Sequence, residues 1–241
     1  MIQELWLGDC LKLMSDIPDN SVDMILCDLP YQVTARQKWD VIIPFKPLWE
    51  NYNRVIKANG AIVLFATEPF RTKLIYSNLK NFRYDLIWEK NKTTGFLNAK
   101  KQPLRKHESI LVFYKKPPTY NPQKTAGHKP VNSYQHKSGD ISLVYGKTDK
   151  YKGGGSTERY PTSILSFPVV NNDDPIKKHS AQKPVALLEY LIKTYTNEGD
   201  LILDNCAGSG STGVACINQN RQFICIEKEK EYFDICVERL K

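Results

Sequence analysis

"DLILDNCAGSGSTGVACI", residues 200–217, passes from an apolar run into a cluster of glycines and out into a second apolar run. Asp200 to Asn205 read as a short buried strand with Asp204 at its end, and the residues behind Gly213 read as a helix. Glycines at 208, 210 and 213 let the backbone turn and approach a ligand closely, and the helix start behind them offers unpaired N–H groups. "GSGSTG" satisfies G-x-G-x-x-G, and Glu227 closes the next strand candidate about twenty residues on, where a ribose-binding acid belongs. Taken alone, this predicts an NAD-dependent enzyme. A P-loop does not fit, because no G-K-[ST] follows. Asp204 at the strand end weighs against NAD, since a carboxylate there suits a ligand carrying an amino-acid cation better than a pyrophosphate. Only 28 residues follow Gly213, so the remaining strands must come from earlier in the chain.

Those earlier strands are legible. Glu4 to Gly8, Ser21 to Cys27, Ala61 to Ala66, Phe82 to Glu89, Ser109 to Lys115 and Gln222 to Glu227 are short and rich in Ile, Leu, Val or Phe. Helical patterns lie between them. "PFKPLWENYNRVIKANG" ends on Gly60, where a helix C-cap glycine is expected, and "PVALLEYLIKTYTNEG" begins with Pro184 in a first-turn position. Val185, Leu188, Leu191, Ile192 and Tyr195 share one face of the latter and are expected to pack in the core. This alternation predicts an α/β doubly wound sheet. At the end of the strand "SVDMILC" stands "DLPY", Asp28 to Tyr31. In an open α/β sheet both loops lie at the carboxyl edge and share one crevice. By itself "DLPY" is equally well a strand-to-turn exit with an exposed tyrosine; its pairing with the glycine loop favours the functional reading.

The bulk properties agree with one main domain carrying an insertion: 241 residues, 41% hydrophobic and 25% charged. No apolar run approaches the roughly 20 residues that span a bilayer, and the first ten residues lack the pattern of a signal peptide, so a cytoplasmic location is expected. The six cysteines form no C-x-x-C pair, and neither zinc nor disulfides are expected. The net charge of +8 is unevenly placed: Lys90 to Lys137 holds eleven Lys or Arg and one acid, Glu108, a net of +10, leaving −2 for the rest. Such a one-sided stretch predicts a polyanionic partner held through its phosphates, the alternative being a merely solvated basic loop. From Lys116 to Lys178 the periodicity dissolves into Pro, Gly, Ser, Tyr and Lys, as in a loop-rich insertion.

Together these motifs resemble the amino-directed DNA methyltransferases that use S-adenosylmethionine (AdoMet), in the β arrangement where the catalytic tetrad precedes the cofactor motif. The tetrad is Asp28-Leu29-Pro30-Tyr31, similar to D-P-P-Y or S-P-P-Y, and the cofactor motif is "DNCAGSGST", Asp204 to Thr212. "HSAQKP" at His179 to Pro184 and "GDC" at Gly8 to Cys10 resemble two further elements. The resemblance covers residues 1–115 and 179–241, and it implies a Rossmann-like, mostly parallel seven-stranded sheet with one antiparallel strand. Residues 116–178 are then an inserted target-recognition region. The implied partner is double-stranded DNA, with room left for a homodimer and a cognate restriction endonuclease.

The resemblance also implies roles. Asp28 and a backbone carbonyl at Leu29 or Pro30 accept the two N–H groups of an exocyclic amine, and Tyr31 stacks on the extruded base. Asp204 faces the methionine ammonium, Gly208 and Gly210 admit the backbone, Glu227 takes the ribose hydroxyls, and Asp9 takes the adenine amino group. Lys183 neighbours the methionine carboxylate, while Cys10, Cys206, Ala207, Ser211 and Thr212 line the cofactor pocket. For Asp9 and Lys183 a plain surface or capping role is the alternative. Arg36 and Lys38, in a flap that also holds Trp39, and Lys100, Lys101, Arg105 and Lys106 are expected at DNA phosphates. Leu29 departs from the usual proline, but because it precedes Pro30 it stays biased to an extended backbone. Asp in the lead position goes mostly with adenine N6 in the family; N4 of cytosine is the alternative, and a DNA-binding protein without activity is the alternative from another class.

Overall fold

The computed structural model describes residues 2–32, 40–136, 141–142, 146–147, 151–170 and 182–241. The chain divides into two units, Met1–Asn121 with Ser163–Lys241, and Pro122–Thr162. In chain order the elements are β1 (Gln3–Leu7), α1 (Cys10–Leu13), β2 (Val22–Cys27), α2 (Phe45–Val55), β3 (Ile56–Ala66), α3 (Phe70–Ser77), β4 (Phe82–Thr94) and β5 (Arg105–Phe113). The smaller unit holds β6 (Tyr134–His136), β7 (Ile141–Ser142), β8 (Gly146–Lys147) and β9 (Tyr151–Gly153). The larger unit then resumes with β10 (Ile164–Ser166), α4 (Val185–Tyr195), β11 (Leu201–Asp204), α5 (Ser211–Asn218), β12 (Gln222–Glu227) and α6 (Lys230–Arg239).

The larger unit is built on one sheet in the order β1-β12-β11-β2-β3-β5-β4-β10. Its strands run parallel except β5, which is antiparallel to both β3 and β4. This is the expected mostly parallel sheet with one reversed strand. An eighth strand, β10, joins the expected seven by pairing Ile164 with Ile87 and Ser166 with Glu89. It comes from within the stretch read as an insertion, where three residues flanked by Pro and Ser carry no periodic signal.

Helices cover both faces, so β2 is apolar on both. Ile25 and Cys27 pack with Leu48, Tyr52 and Phe70 on one side, whereas Met24 and Leu26 pack with Leu188, Leu191 and Ile192 on the other. Leu187 is also fully buried and Val185 only partly, so α4 turns a slightly different face inward than its spacing predicts. α2 does not run on to Gly60: it ends at Val55 and β3 begins at once. Val22 pairs with Ile56 but Met24 pairs with Ala61, so β3 bulges between them. A Cβ on Gly60 would lie 2.8 Å from the Asp23 carbonyl oxygen, so glycine is needed there for close strand approach, not as a helix cap.

The smaller unit pairs β6 with β9 and β7 with β8, both antiparallel, and adds a bridge between Thr125 and Arg159. None of residues 122–135 and 152–162 is buried, and backbone pairing and contacts such as Lys124 with Glu158 at 3.0 Å link them. No helix among the described residues is long and apolar enough to cross a membrane.

Candidate active site

The carboxyl ends of β11, β12 and β2 open on a cavity of about 970 Å³, which the ends of β3, β4 and β5 also reach. Open α/β sheets bind ligands at this edge.

One wall is the glycine loop. Asp204, 4% exposed, ends β11 with its Oδ1 accepting from the Cys206 N–H at 3.1 Å and its Oδ2 accepting from the Thr212 hydroxyl. Burial pushes this carboxyl up to about 6, against the pull of those hydrogen bonds. Among the described residues no cation touches it. Glu227 ends β12 and accepts the Gly208 N–H at 2.7 Å and the Glu229 N–H at 2.8 Å, so it braces the loop. Burial pushes Glu227 up despite these backbone donors. Gly208, at φ +56°, has open space where a Cβ would be and borders the cavity. Gly210 does not border it. Its φ of +75° and a Cβ position 3.1 Å from Cys236 Sγ make it a packing glycine at the start of α5. Gly213 has the same role against Leu240. Cys206, Ala207, Ser211 and Thr212 line the cavity, and so do Asp9 and Cys10. Asp9 also caps α1, its Oδ1 accepting the Leu11 N–H at 2.9 Å.

The tetrad, at the end of the neighbouring strand β2, forms another wall. Asp28 accepts from the Tyr31 hydroxyl on one oxygen and is ion-paired to Lys183 on the other. Each oxygen keeps a spare lone pair, so the carboxylate can still take a substrate N–H. The Tyr31 ring packs on Phe70 with centroids 5.0 Å apart and planes at 28°. Leu29 is 4% exposed and sits in the hydrophobic core, which explains a large apolar side chain where a proline would leave a gap. Lys183 borders the cavity as well. It is buried, lies over the Phe65 ring at 5.0 Å, and stands between Asp28 and Glu108, 3.5 Å from the latter. Two partly buried acids, Asp28 and Glu108, hold the ammonium at this edge of the cavity.

Glu108 and Lys90 complete a buried chain of charges, Lys90–Glu108–Lys183–Asp28, that sequence reading missed. Burial favours a neutral Lys183, yet Asp28 and Glu108 outweigh it and hold the ammonium above its ordinary value. Burial alone would push Glu108 up, but Lys183 and then Lys90 hold it below its ordinary value. For Asp28 burial prevails and pushes the carboxyl up; Lys183 opposes and Glu108 adds to the push. The available signal was that Glu108 is the single acid in the eleven-cation stretch. Breaking a buried ion pair strands the partner's charge. Glu108→Gln is therefore expected to lower folding stability by about 3 kcal/mol in urea unfolding; an unchanged midpoint would mean that water already solvates Lys90 and Lys183.

Of the expected phosphate contacts, Arg105 borders the cavity mouth and Lys100 and Lys101 are exposed beyond it. Lys106 is exposed but paired to Glu89 at 2.9 Å. Arg36, Lys38 and Trp39, with His179 to Ala181, lie outside the described residues. Among the described residues no cluster of metal ligands is found.

A family model described as DNA methylase, of the N6/N4 type, matches residues 22–238. The chain belongs to the N6/N4 DNA methylase family. DNA adenine methyltransferase YhdJ of Escherichia coli strain K12 is 29% identical over 255 residues, covering 97% of this chain and 81% of the relative. Type II methyltransferase M.BglII of Bacillus subtilis is 28% identical over 264 residues, covering 99% of this chain and 69% of that one. Among solved structures, the M1.HpyAVI–SAM complex aligns with a TM-score of 0.65 at 26% identity over 100% of both chains. The PvuII methyltransferase, described as cytosine-N4-specific, shares the fold at a TM-score of 0.69 and 18% identity, covering 98% of this methylase and 86% of that chain.

Proposed function

We propose that this methylase is a cytoplasmic, site-specific enzyme that transfers the methyl group of AdoMet to N6 of an adenine extruded from double-stranded DNA. One observation carries the reading: a buried carboxylate with no cation among the described residues, Asp204, and the Asp28 tetrad open on the same cavity. Asp204 would hold the AdoMet ammonium as its counter-charge, the open face of Gly208 leaves room for the cofactor, and Glu227 keeps acceptor capacity toward ribose hydroxyls. When bound, AdoMet supplies an electrophilic methyl on a sulfonium.

An exocyclic amine is a weak nucleophile because its lone pair is conjugated into the ring. Asp28 and the carbonyl of Leu29 or Pro30 accept its two N–H groups and draw the nitrogen toward tetrahedral geometry, which frees the lone pair for in-line attack. Asp28, whose carboxyl burial pushes up, would take the amine proton as the methyl that AdoMet would supply passes from its sulfonium to the nitrogen. Lys183 and Glu108 position Asp28. Tyr31 holds Asp28 through its hydroxyl and offers a ring face to the base, while Phe70 backs the ring. Asp in the lead position and the purine's larger stacking face support adenine over cytosine. Residues 116–178 are read as the target-recognition region, and the type II names among the relatives support a cognate endonuclease; a homodimer remains part of the proposal.

The test is transfer of labelled methyl from AdoMet to duplex DNA, RNA and protein in parallel. Label in duplex DNA alone is expected. Label in RNA or protein, or thermal stabilisation by NAD but not by AdoMet, would overturn the reading.

A further inference from the structure

The β4–β5 hairpin extends past the cavity and ends in an apolar tip that the catalytic reading does not use. Thr93, Thr94 and Arg105 border the cavity mouth; two residues beyond Thr94, Phe96 is 76% exposed and Leu97 is 84% exposed. The tip is a formed turn: Gly95 adopts φ +87°, and its carbonyl accepts the Asn98 N–H at 2.9 Å, that of Phe96 the Ala99 N–H at 3.0 Å, and that of Asn98 the Lys101 N–H at 2.8 Å. Two large apolar side chains held in water on a preformed turn need a partner to cover them. The charge around them says which kind: Lys92, Lys100, Lys101 and Arg105 are exposed on the same hairpin, and no acid occurs between Lys90 and Lys106.

We propose that Phe96 and Leu97 form a wedge that enters the stacked bases of the duplex beside the target and fills the space left by the extruded base, with the surrounding cations on the flanking phosphates. An apolar side chain between base steps lowers the cost of taking a base out of the stack. The wedge rests on the DNA-methyltransferase reading above.

The experiment compares the unaltered enzyme with Phe96→Ser/Leu97→Ser, a change at exposed positions, on two duplexes carrying the site that sequencing of modified DNA identifies. In one the target base is paired; in the other it faces an abasic position and is already loosened. The variant is expected to lose at least about tenfold in turnover on the paired duplex and no more than about twofold on the loosened one, with an unchanged AdoMet-induced Tm shift. Phe96→Trp with Leu97 retained should keep activity on both. Equal losses on the two duplexes, or none on the paired one, would overturn the wedge, as would a change confined to sedimentation, which would make the tip a contact between copies of the chain. Absence of transfer by the unaltered enzyme on both duplexes would instead remove the parent reading.

Discussion

Asp28→Asn is expected to keep AdoMet affinity within about threefold of the parent while single-turnover methylation falls by about a thousandfold, in line with the loss of one charged partner aimed at a developing transition-state charge. The carboxylate accepts from Tyr31 and Lys183 and, on the proposed mechanism, would accept from the substrate as well; Asn keeps its size but not its charge. The Asn amide would turn its oxygen to the Lys183 ammonium and its N–H groups toward Tyr31, leaving one acceptor oxygen where the carboxylate has two. The effect should fall on the chemical step, because the acceptor matters most as the amine nitrogen changes geometry. Turnover within about tenfold of the parent would show that the backbone carbonyl alone suffices to grip the amine.

Asp204→Asn is expected to abolish the AdoMet-induced Tm shift and, at pH 7.5, to raise the Tm of the ligand-free protein. Burial raises this carboxyl from 3.8 to about 6, so the fold holds the Asp204 proton more tightly than the unfolded chain does. The stability this gives is fully present below about 3.8 and is lost as pH rises through about 6. At neutral pH the ligand-free protein therefore carries a buried charge, hydrogen-bonded but with no cation among the described residues, that costs about 3 kcal/mol as an upper figure at 1.36 kcal/mol per unit. A bound ammonium removes that cost. The Tm shift with AdoMet should accordingly grow between pH 5 and pH 7.5 in the parent and be absent in the variant. A parent shift that stays flat across that interval would mean that Asp204 does not face the cofactor's cation.

Much of this site was legible because its parts announce themselves locally. The run from Asp200 to Ile217 and the tetrad after Cys27 each carry a strand, a turn and a functional side chain within a few residues, and both do border the cavity. What was hidden depends on long-range neighbours. Lys183 carries no local sign that Asp28, 155 residues away, would hold it. Glu108 sits in a strand whose sequence speaks only of β structure. Gly210 and Gly213 fit a ligand-binding pattern, yet only the later helix α6 and Leu240 reveal that they serve packing. Gly60 looked like a helix end because a bulged strand and a capped helix use the same residue, and only the partner strand distinguishes them. β10 was invisible for the opposite reason: three residues become a strand because β4 offers an edge.

The central claim is that this cavity joins AdoMet to the amino group of an adenine. The most direct measurement is mass spectrometry of nucleosides from unmethylated duplex DNA incubated with the purified protein and AdoMet carrying an isotopically labelled methyl. N6-methyladenine bearing the label is the predicted product, reduced to background with Asp28→Asn; labelled N4-methylcytosine would contradict the adenine assignment, and no labelled nucleoside from DNA of varied sequence would contradict the account itself.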